Sequence, residues 1–381
     1  MRRLALFAAL VCGSAAAQEG PIPAVWDSYH DYDATTTLLQ RLSTDFQPLM
    51  KLETVGESEQ GRPIWLVTIP NPDMVPGTED RVKVLFDGAM HGSEVIASES
   101  MLYYIQYLLN GYGSDPTARE IVDGWTTYVV PMVNPDGVMR GKTSNDYKLA
   151  RKNARRVDLN RNFDWLWPPT CSPTGCPSGC TINCFEYPGP EAFSEVESRL
   201  IRDQLTARGI FLYVNGHAGL SVEQISRPDF FENPDDETRH LQIQRCVRSI
   251  SNGIFHVTPG SQRGSSKNWD YGVPMLALRE AGMPTLAFVL EIYTIDPIRP
   301  GNNNQWWWCR YNPPVALDDE VAQWCIKGTT EWCERGCTPV DTMGNRMEIV
   351  KDALIYLTRT SVGGVTECPA SLQDSELFDE D

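Results

Sequence analysis

Apolar residues along the chain gather into short continuous runs, separated by longer stretches with helical spacing. Five runs have strand length and a β-branched or aromatic content: IWLVTI (64–69), VKVLF (82–86), TTYVVPMV (126–133), GIFLYVN (209–215) and TLAFVLEIY (285–293). Continuous rather than alternating apolarity is what strands covered on both faces require. Residues 32–46, 94–110, 191–207, 236–252 and 346–359 instead place apolar side chains at three- and four-residue intervals, the mark of an amphipathic helix. Strands alternating with helices predict an α/β protein whose sheet is covered by helices on both sides.

The polar exceptions to this pattern fall at the ends of the apolar runs. VKVLF leads to His91 and Glu94, TTYVVPMV to Asn134 and Asp136, and GIFLYVN to His217, while TLAFVL runs into Glu291. In open α/β sheets the ligand crevice lies outside the carboxyl ends of the strands. Two imidazoles and a carboxylate make a tetrahedral zinc site with one position left for water, and a water so bound becomes nucleophilic near neutral pH. His91, Glu94 and His217 fit that ligand set, and Glu291 is placed to act as general base. H-x-x-E alone is a weak signal, because a surface histidine beside a first-turn glutamate favoured by the helix dipole looks the same. Glu291 is harder to explain blandly, since an unpaired carboxylate in an apolar strand is costly. Of the five histidines, His30, His240 and His256 lie in polar or loop settings and read as background.

Composition narrows the setting. MRRLALFAALVCGSAAA (1–17) has two arginines, an apolar centre too short for a membrane span and a small-residue A-x-A end, which reads as a secretory leader cut after Ala17. Eleven cysteines less Cys12 of the leader leave an even set, and outside the cytosol that reads as disulfides. A net charge of −17 argues against nucleic acid or an anionic membrane as partner, and no N-x-S/T sequon is present. After the leader, residues 18–361 read as one catalytic domain. It carries Cys-rich inserts at about 168–190 and 301–340, expected as stapled surface loops, and an acidic tail follows at 362–381.

A second cluster, LARKNARRVDLNRNF (149–163), concentrates Arg151, Lys152, Arg155, Arg156 and Arg161. The acidity of the whole chain speaks against a nucleic-acid patch. Guanidinium groups do grip carboxylates in pairs of hydrogen bonds, and an arginine beside a polarised carbonyl stabilises the oxyanion that forms on attack.

In their order and wording these segments resemble the zinc metallocarboxypeptidases of the pancreatic and regulatory type: MHGSE (90–94), VNPDG (133–137), RKNAR (151–155), VDLNRNFD (157–164), NGH (215–217) and FVLEIY (288–293). The resemblance covers roughly residues 30–295 and the last helix. It implies a three-layer α/β/α sandwich around a mixed, mainly parallel sheet of about eight strands, one zinc ion per chain, and peptide or protein C-termini as substrates. His91, Glu94 and His217 match the metal ligands and Glu291 the general base. Arg151 matches the arginine that polarises the scissile carbonyl, and Asn160 and Arg161 match the pair that binds the free C-terminal carboxylate.

The chain departs from the family pattern in places. Ser93 stands where many relatives have arginine, and no tyrosine precedes GSSKNWD (264–270) where the mobile tyrosine is expected, leaving Tyr271 or Tyr293 as substitutes. With GSSKNW aligned to the corresponding family segment, the resemblance implies that Lys267 stands where relatives carry the residue at the floor of the specificity pocket. A cation there would favour an acidic C-terminal side chain; the bland alternative is an exposed loop lysine. No room is left between leader and catalytic region for a long propeptide, nor after Glu291 for a β-sandwich, and WWW (306–308) reads as a loop-stapling cluster. The expectation is a secreted, monomeric exopeptidase. Two alternatives stay open: a zinc amidohydrolase acting on another amide such as a peptidoglycan stem peptide, and a peptide-binding relative without activity.

Overall fold

A computed structural model shows seventeen elements among the residues it describes, following one another along the chain. It describes residues 30–143, 147–168, 180–218, 224–228, 231, 234–251, 254–259, 265, 285–292 and 341–361. They are α1 (Tyr32–Asp45), β1 (Lys51–Glu57), β2 (Pro63–Ile69), β3 (Val82–Asp87), α2 (Val95–Gly111), α3 (Pro116–Gly124), β4 (Trp125–Val130), α4 (Pro135–Thr143), α5 (Tyr147–Arg151), a 3₁₀ turn (Leu159–Arg161), α6 (Val196–Arg208), β5 (Leu212–Ala218), β6 (Gln224–Arg227), α7 (Pro234–Ile250), β7 (His256–Pro259), β8 (Leu286–Ile292) and α8 (Asp341–Thr360). The leader, Lys267, Tyr271, Tyr293, the insert at 301–340 and the acidic tail lie outside the described residues.

The strands form one mixed sheet in the order β1-β2-β4-β3-β5-β8-β6-β7. The central pairs β4·β3, β3·β5 and β5·β8 are parallel, as is β6·β7, and the pairs β1·β2, β2·β4 and β6·β8 are antiparallel. From β3 the chain crosses to β4 on one side and later to β5 on the other. That reversal of direction opens a crevice at the carboxyl ends of β3 and β5.

The apolar runs serve both faces of the sheet, residue by residue. Val84 and Phe86 of β3, Leu212 and Val214 of β5, and Leu286, Phe288 and Leu290 of β8 pack under α1, α2, α7 and α8. Leu85, Tyr128, Val130 and Tyr213 face the other way, against Ile201 and Leu205 of α6, Leu159 of the 3₁₀ turn and Phe163 just after it. Successive side chains on a strand alternate in direction. Asp87, Asn215, His217 and Glu291 therefore share the second face with Leu85 and Tyr213.

Local chemistry sets the boundaries. Asp31 caps α1 by accepting from the Ala34 amide at 2.9 Å, and Asp115 caps α3 ahead of Pro116. Gly209 ends α6 in the left-handed conformation, with φ of 64°. It therefore belongs to a helix cap, and β5 starts at Leu212 and runs on through His217 to Ala218. That differs from the strand expected over 209–215. Likewise β4 stops at Val130, before Pro131, which has no N–H to donate to a ladder. Strands β1, β6 and β7 carry no continuous apolar run: β1 and β7 form the sheet's edges, and the short β6 has partly exposed ends.

Candidate metal centre

Two sequence motifs build the end of β3. After Asp87 the chain turns through Gly88–Gly92, and Asn134 of NPDG holds this turn by donating from Nδ2 to the Met90 carbonyl at 3.2 Å. Its Oδ1 accepts from the Gly137 amide at 2.8 Å. Gly92 and Gly137 meet backbone to backbone: a Cβ on Gly92 would lie 2.2 Å from the Gly137 carbonyl carbon. The glycines of MHGSE and NPDG thus permit a contact that presents His91 and Glu94 at the sheet's mouth.

His91, Glu94 and His217 converge there, all three buried, with one potential ligand atom from each inside a 4.8 Å span. The two Nδ1 atoms lie 3.0 Å apart, and Glu94 places Oε1 2.9 Å from His91 Nδ1 and Oε2 2.9 Å from His217 Nδ1. Ligands on a tetrahedral zinc ion stand roughly 3.3 Å apart, given bonds of about 2.0–2.1 Å. The donor set therefore fits zinc after a shift of a few tenths of an ångström. Glu94 occupies the N-cap position of α2 but makes no side-chain cap bond, and its carboxylate turns to the two histidines.

Charge in the cluster is arranged for a cation. Burial alone would raise the Glu94 pKa, yet the charge and hydrogen bonds of His91 and His217 hold it well below the usual carboxylate range. Burial, helped by the neighbouring His91, pushes His217 down to about 4, so it is neutral and free to ligate near pH 7. Burial and Arg151 oppose a charge on His91, but Glu94 and Asp158 outweigh them and raise it.

Four further predicted residues, Arg151, Asn160, Arg161 and Glu291, lie around the same mouth, while Lys267 lies outside the described residues. Arg151 donates from Nε to Asp158 at 3.0 Å and from Nη1 to Glu94 at 2.9 Å, and its guanidinium lies over the Phe185 ring, 5.0 Å from the centroid. Asn160 brings Nδ2 to 3.0 Å from His217 Nε2. Arg161 donates from Nη1 to the Asn160 carbonyl at 3.0 Å and pairs through Nη2 with Glu186. Glu291, partly exposed, stands opposite His217 in the parallel register of β5 and β8, and its charge reaches Arg151.

Several residues at the mouth carry no signal in a single sequence. Asp158 accepts from His91 Nε2 at 2.9 Å; burial opposes its charge, but Arg151, His91 and Arg161 hold it well below the usual range. Residues 182–187 of the segment expected as a surface loop also wall the site. Glu186 meets Arg161, Phe185 underlies Arg151, and Lys152 donates to the Ile182 and Cys184 carbonyls. The Tyr187 carbonyl also accepts from the Asp158 amide at 2.8 Å. Cys180 and Cys184, like Cys246 of α7, are disulfide-bonded. Of the background histidines, His240 proves to be a core residue whose Nδ1 donates to the Asp236 carbonyl and whose Nε2 accepts from the Ala287 amide. His30 is tied to the buried Glu99.

Residues 35–274 match the zinc carboxypeptidase family, Peptidase_M14. The chain belongs to the zinc carboxypeptidase family. Glu291 lies beyond the matched stretch, so its place at the mouth rests on the register of β5 and β8. Among members of the family, carboxypeptidase B of Astacus astacus is 32% identical over 205 residues, 51% of this chain and 62% of that one. A zinc carboxypeptidase of Saccharothrix mutabilis subsp. capreolus is 34% identical over 151 residues, 38% and 34% of the two chains. The matched stretch thus spans less than two thirds of either relative. Thrombin activatable fibrinolysis inhibitor has a similar fold, with a TM-score of 0.64 at 17% identity over 91% of this chain and 78% of that one. Carboxypeptidase A from Helicoverpa armigera gives 0.61 at 17% identity over 87% and 73%.

Proposed function

We propose that the protein is a secreted zinc exopeptidase that removes C-terminal residues from peptides or proteins. One juxtaposition carries the reading: a buried His91–Glu94–His217 cluster flanked by two arginines, with Glu291 beside it in the next strand. Those three side chains would hold the zinc, which when bound supplies a Lewis acid for the scissile carbonyl and makes water acidic enough to attack. Glu291 takes the proton from the attacking water and returns it to the leaving amine. Arg151, steered by Asp158 and Phe185, stabilises the negative charge developing on the carbonyl oxygen. Asn160 and Arg161 bind the substrate's free carboxylate, which selects the last residue of a chain. The leader at 1–17 and the even set of remaining cysteines support export, and Lys267 supports a preference for acidic C-terminal residues.

A peptide panel varied at its last residue, incubated with and without a zinc chelator and read by mass, tests this. Chelator-sensitive loss of single C-terminal residues is expected; products cut internally, or none, would refute it. Glu291→Gln should abolish turnover while zinc content stays at one per chain, and retained turnover would remove Glu291 as base. Arg161→Ala should raise KM for peptides with a free C-terminus far more than for their amidated forms. Equal damage to both would favour an amidohydrolase with no need of a carboxylate clamp.

A further inference from the structure

A buried polar chain leads from the candidate metal centre into the sheet, and nothing in the reaction proposed above uses it. Asp87 is the last residue of β3 and stands opposite Asn215 in the parallel ladder with β5. Its Oδ2 accepts from the Tyr213 hydroxyl at 2.8 Å and its Oδ1 accepts from Asn215 Nδ2, and the Gly216 amide also donates to the carboxylate. On the other side of the amide, Asn215 Oδ1 meets His217 Nε2. Asp87, Tyr213, Asn215 and His217 are each at most 1% exposed, so no bulk water competes for these bonds.

The order of groups decides a proton. Above about pH 7, where Asp87 is ionised, its carboxylate only accepts, so Asp87 draws the NH₂ of Asn215 towards itself and turns Oδ1 towards His217. An amide oxygen needs a donor, so the proton of the neutral imidazole belongs on Nε2. Nδ1, the atom that faces His91 and Glu94, keeps its lone pair. The opposite assignment has a candidate too, because Asn160 Nδ2 lies 3.0 Å from the same Nε2 and can donate to it. That arrangement puts the proton on Nδ1, where it blocks ligation. Asp87 breaks the tie, since a flipped Asn215 would set its amide oxygen against a carboxylate.

We infer that Asp87 is a positioning residue for the metal: acting through the Asn215 amide, it selects the His217 tautomer that offers Nδ1 as a ligand. Partners that fix the second nitrogen of a ligating histidine typically change metal affinity about 10–100-fold. The inference rests on the metal site proposed above and adds to it a residue that touches neither metal nor substrate.

The test compares zinc affinity, by competition with a chelating dye at pH 8, for the wild type, Asp87→Val and the exchange Asp87→Asn with Asn215→Asp. Asp87→Val should weaken zinc about 10–100-fold. The exchanged pair should bind as the wild type does, because the carboxylate moved to position 215 accepts the Nε2 proton directly while the amide moved to position 87 donates to that carboxylate. Wild-type affinity in Asp87→Val overturns the inference. If that variant fails to fold, the imidazole ¹⁵N spectrum of the zinc-free wild type at pH 8 decides. A proton on Nε2 of His217 supports the inference, and a proton on Nδ1 overturns it. A wild type that binds no zinc overturns the metal site itself, a result distinct from an unaffected Asp87 variant.

Discussion

His91 and Arg161 each meet a carboxylate that the sequence places far away. Asp158 accepts from His91 Nε2 and also from Arg151 Nε, so one side chain orients a candidate ligand and a candidate oxyanion-stabilising group. Asp158→Asn keeps the shape but removes the charge. Zinc affinity should fall about 10–100-fold, as measured by chelator competition. Glu186 acts differently, because its carboxylate occupies Nη2 of the arginine expected to bind the substrate carboxylate. A bound peptide brings a second negative charge to that spot. Glu186→Gln should therefore lower KM for peptides with a free C-terminus and leave kcat in place, with the gain shrinking as salt screens the repulsion. A higher KM would mean instead that Glu186 orients the guanidinium. His91, Glu94, His217 and Glu291 were legible because each interrupts or ends an apolar run. Glu186 was not, because it sits in a Cys-rich segment whose local composition reads only as loop.

At the scale of elements, the glycines separate strain from contact. Gly209 closes α6 at a φ of 64°, and a Cβ there would meet nothing within 4 Å. Gly209→Ala should cost about 1–2 kcal/mol of stability from the left-handed backbone alone, with turnover per folded molecule unchanged. Gly92→Ala drives a Cβ into the backbone of Gly137 and Val138. The loop must then move, and it carries His91 and Glu94, so zinc binding should be lost even in protein that stays folded by circular dichroism. Retained zinc binding in Gly92→Ala would show that the two loops can part without harm to the site. The central strands could be read from the sequence because burial on both faces leaves unbroken apolar runs. β1, β6 and β7 could not, since partly exposed strands carry polar residues and are held by pairing with neighbours. Gly209 and Pro131 shifted the limits of β5 and β4, where backbone chemistry overrode hydrophobicity.

Across the whole molecule, buried acids pull stability in opposite directions with pH. Glu94 and Asp158 have folded pKa values held below their ordinary ones; the stability they add is complete above the ordinary carboxylate range and is lost as pH falls through the folded values. Asp87 and Glu197 behave in the reverse sense, both pushed up to about 7 by burial. For Glu197, in the first turn of α6, Asn153 donates to Oε2 at 3.0 Å, but Oε1 has no hydrogen-bond partner among the described residues and the charges of Asp136 and Glu195 add to the rise. The folded state then holds a proton that the unfolded chain has released, so stability declines as pH climbs from about 4.5 to about 7. By the usual conversion that is roughly 3 kcal/mol for Glu197 once the group is ionised. Self-repulsion from a net charge of −17 works in the same direction. The zinc-free protein should melt several degrees higher near pH 5.5 than at pH 8. In Glu197→Gln, whose amide oxygen still accepts from Asn153, that difference should shrink, with the variant gaining most at pH 8. A parallel downward offset of the variant at every pH would instead assign Glu197 a packing role with its charge irrelevant, and differential scanning calorimetry across the range distinguishes the two.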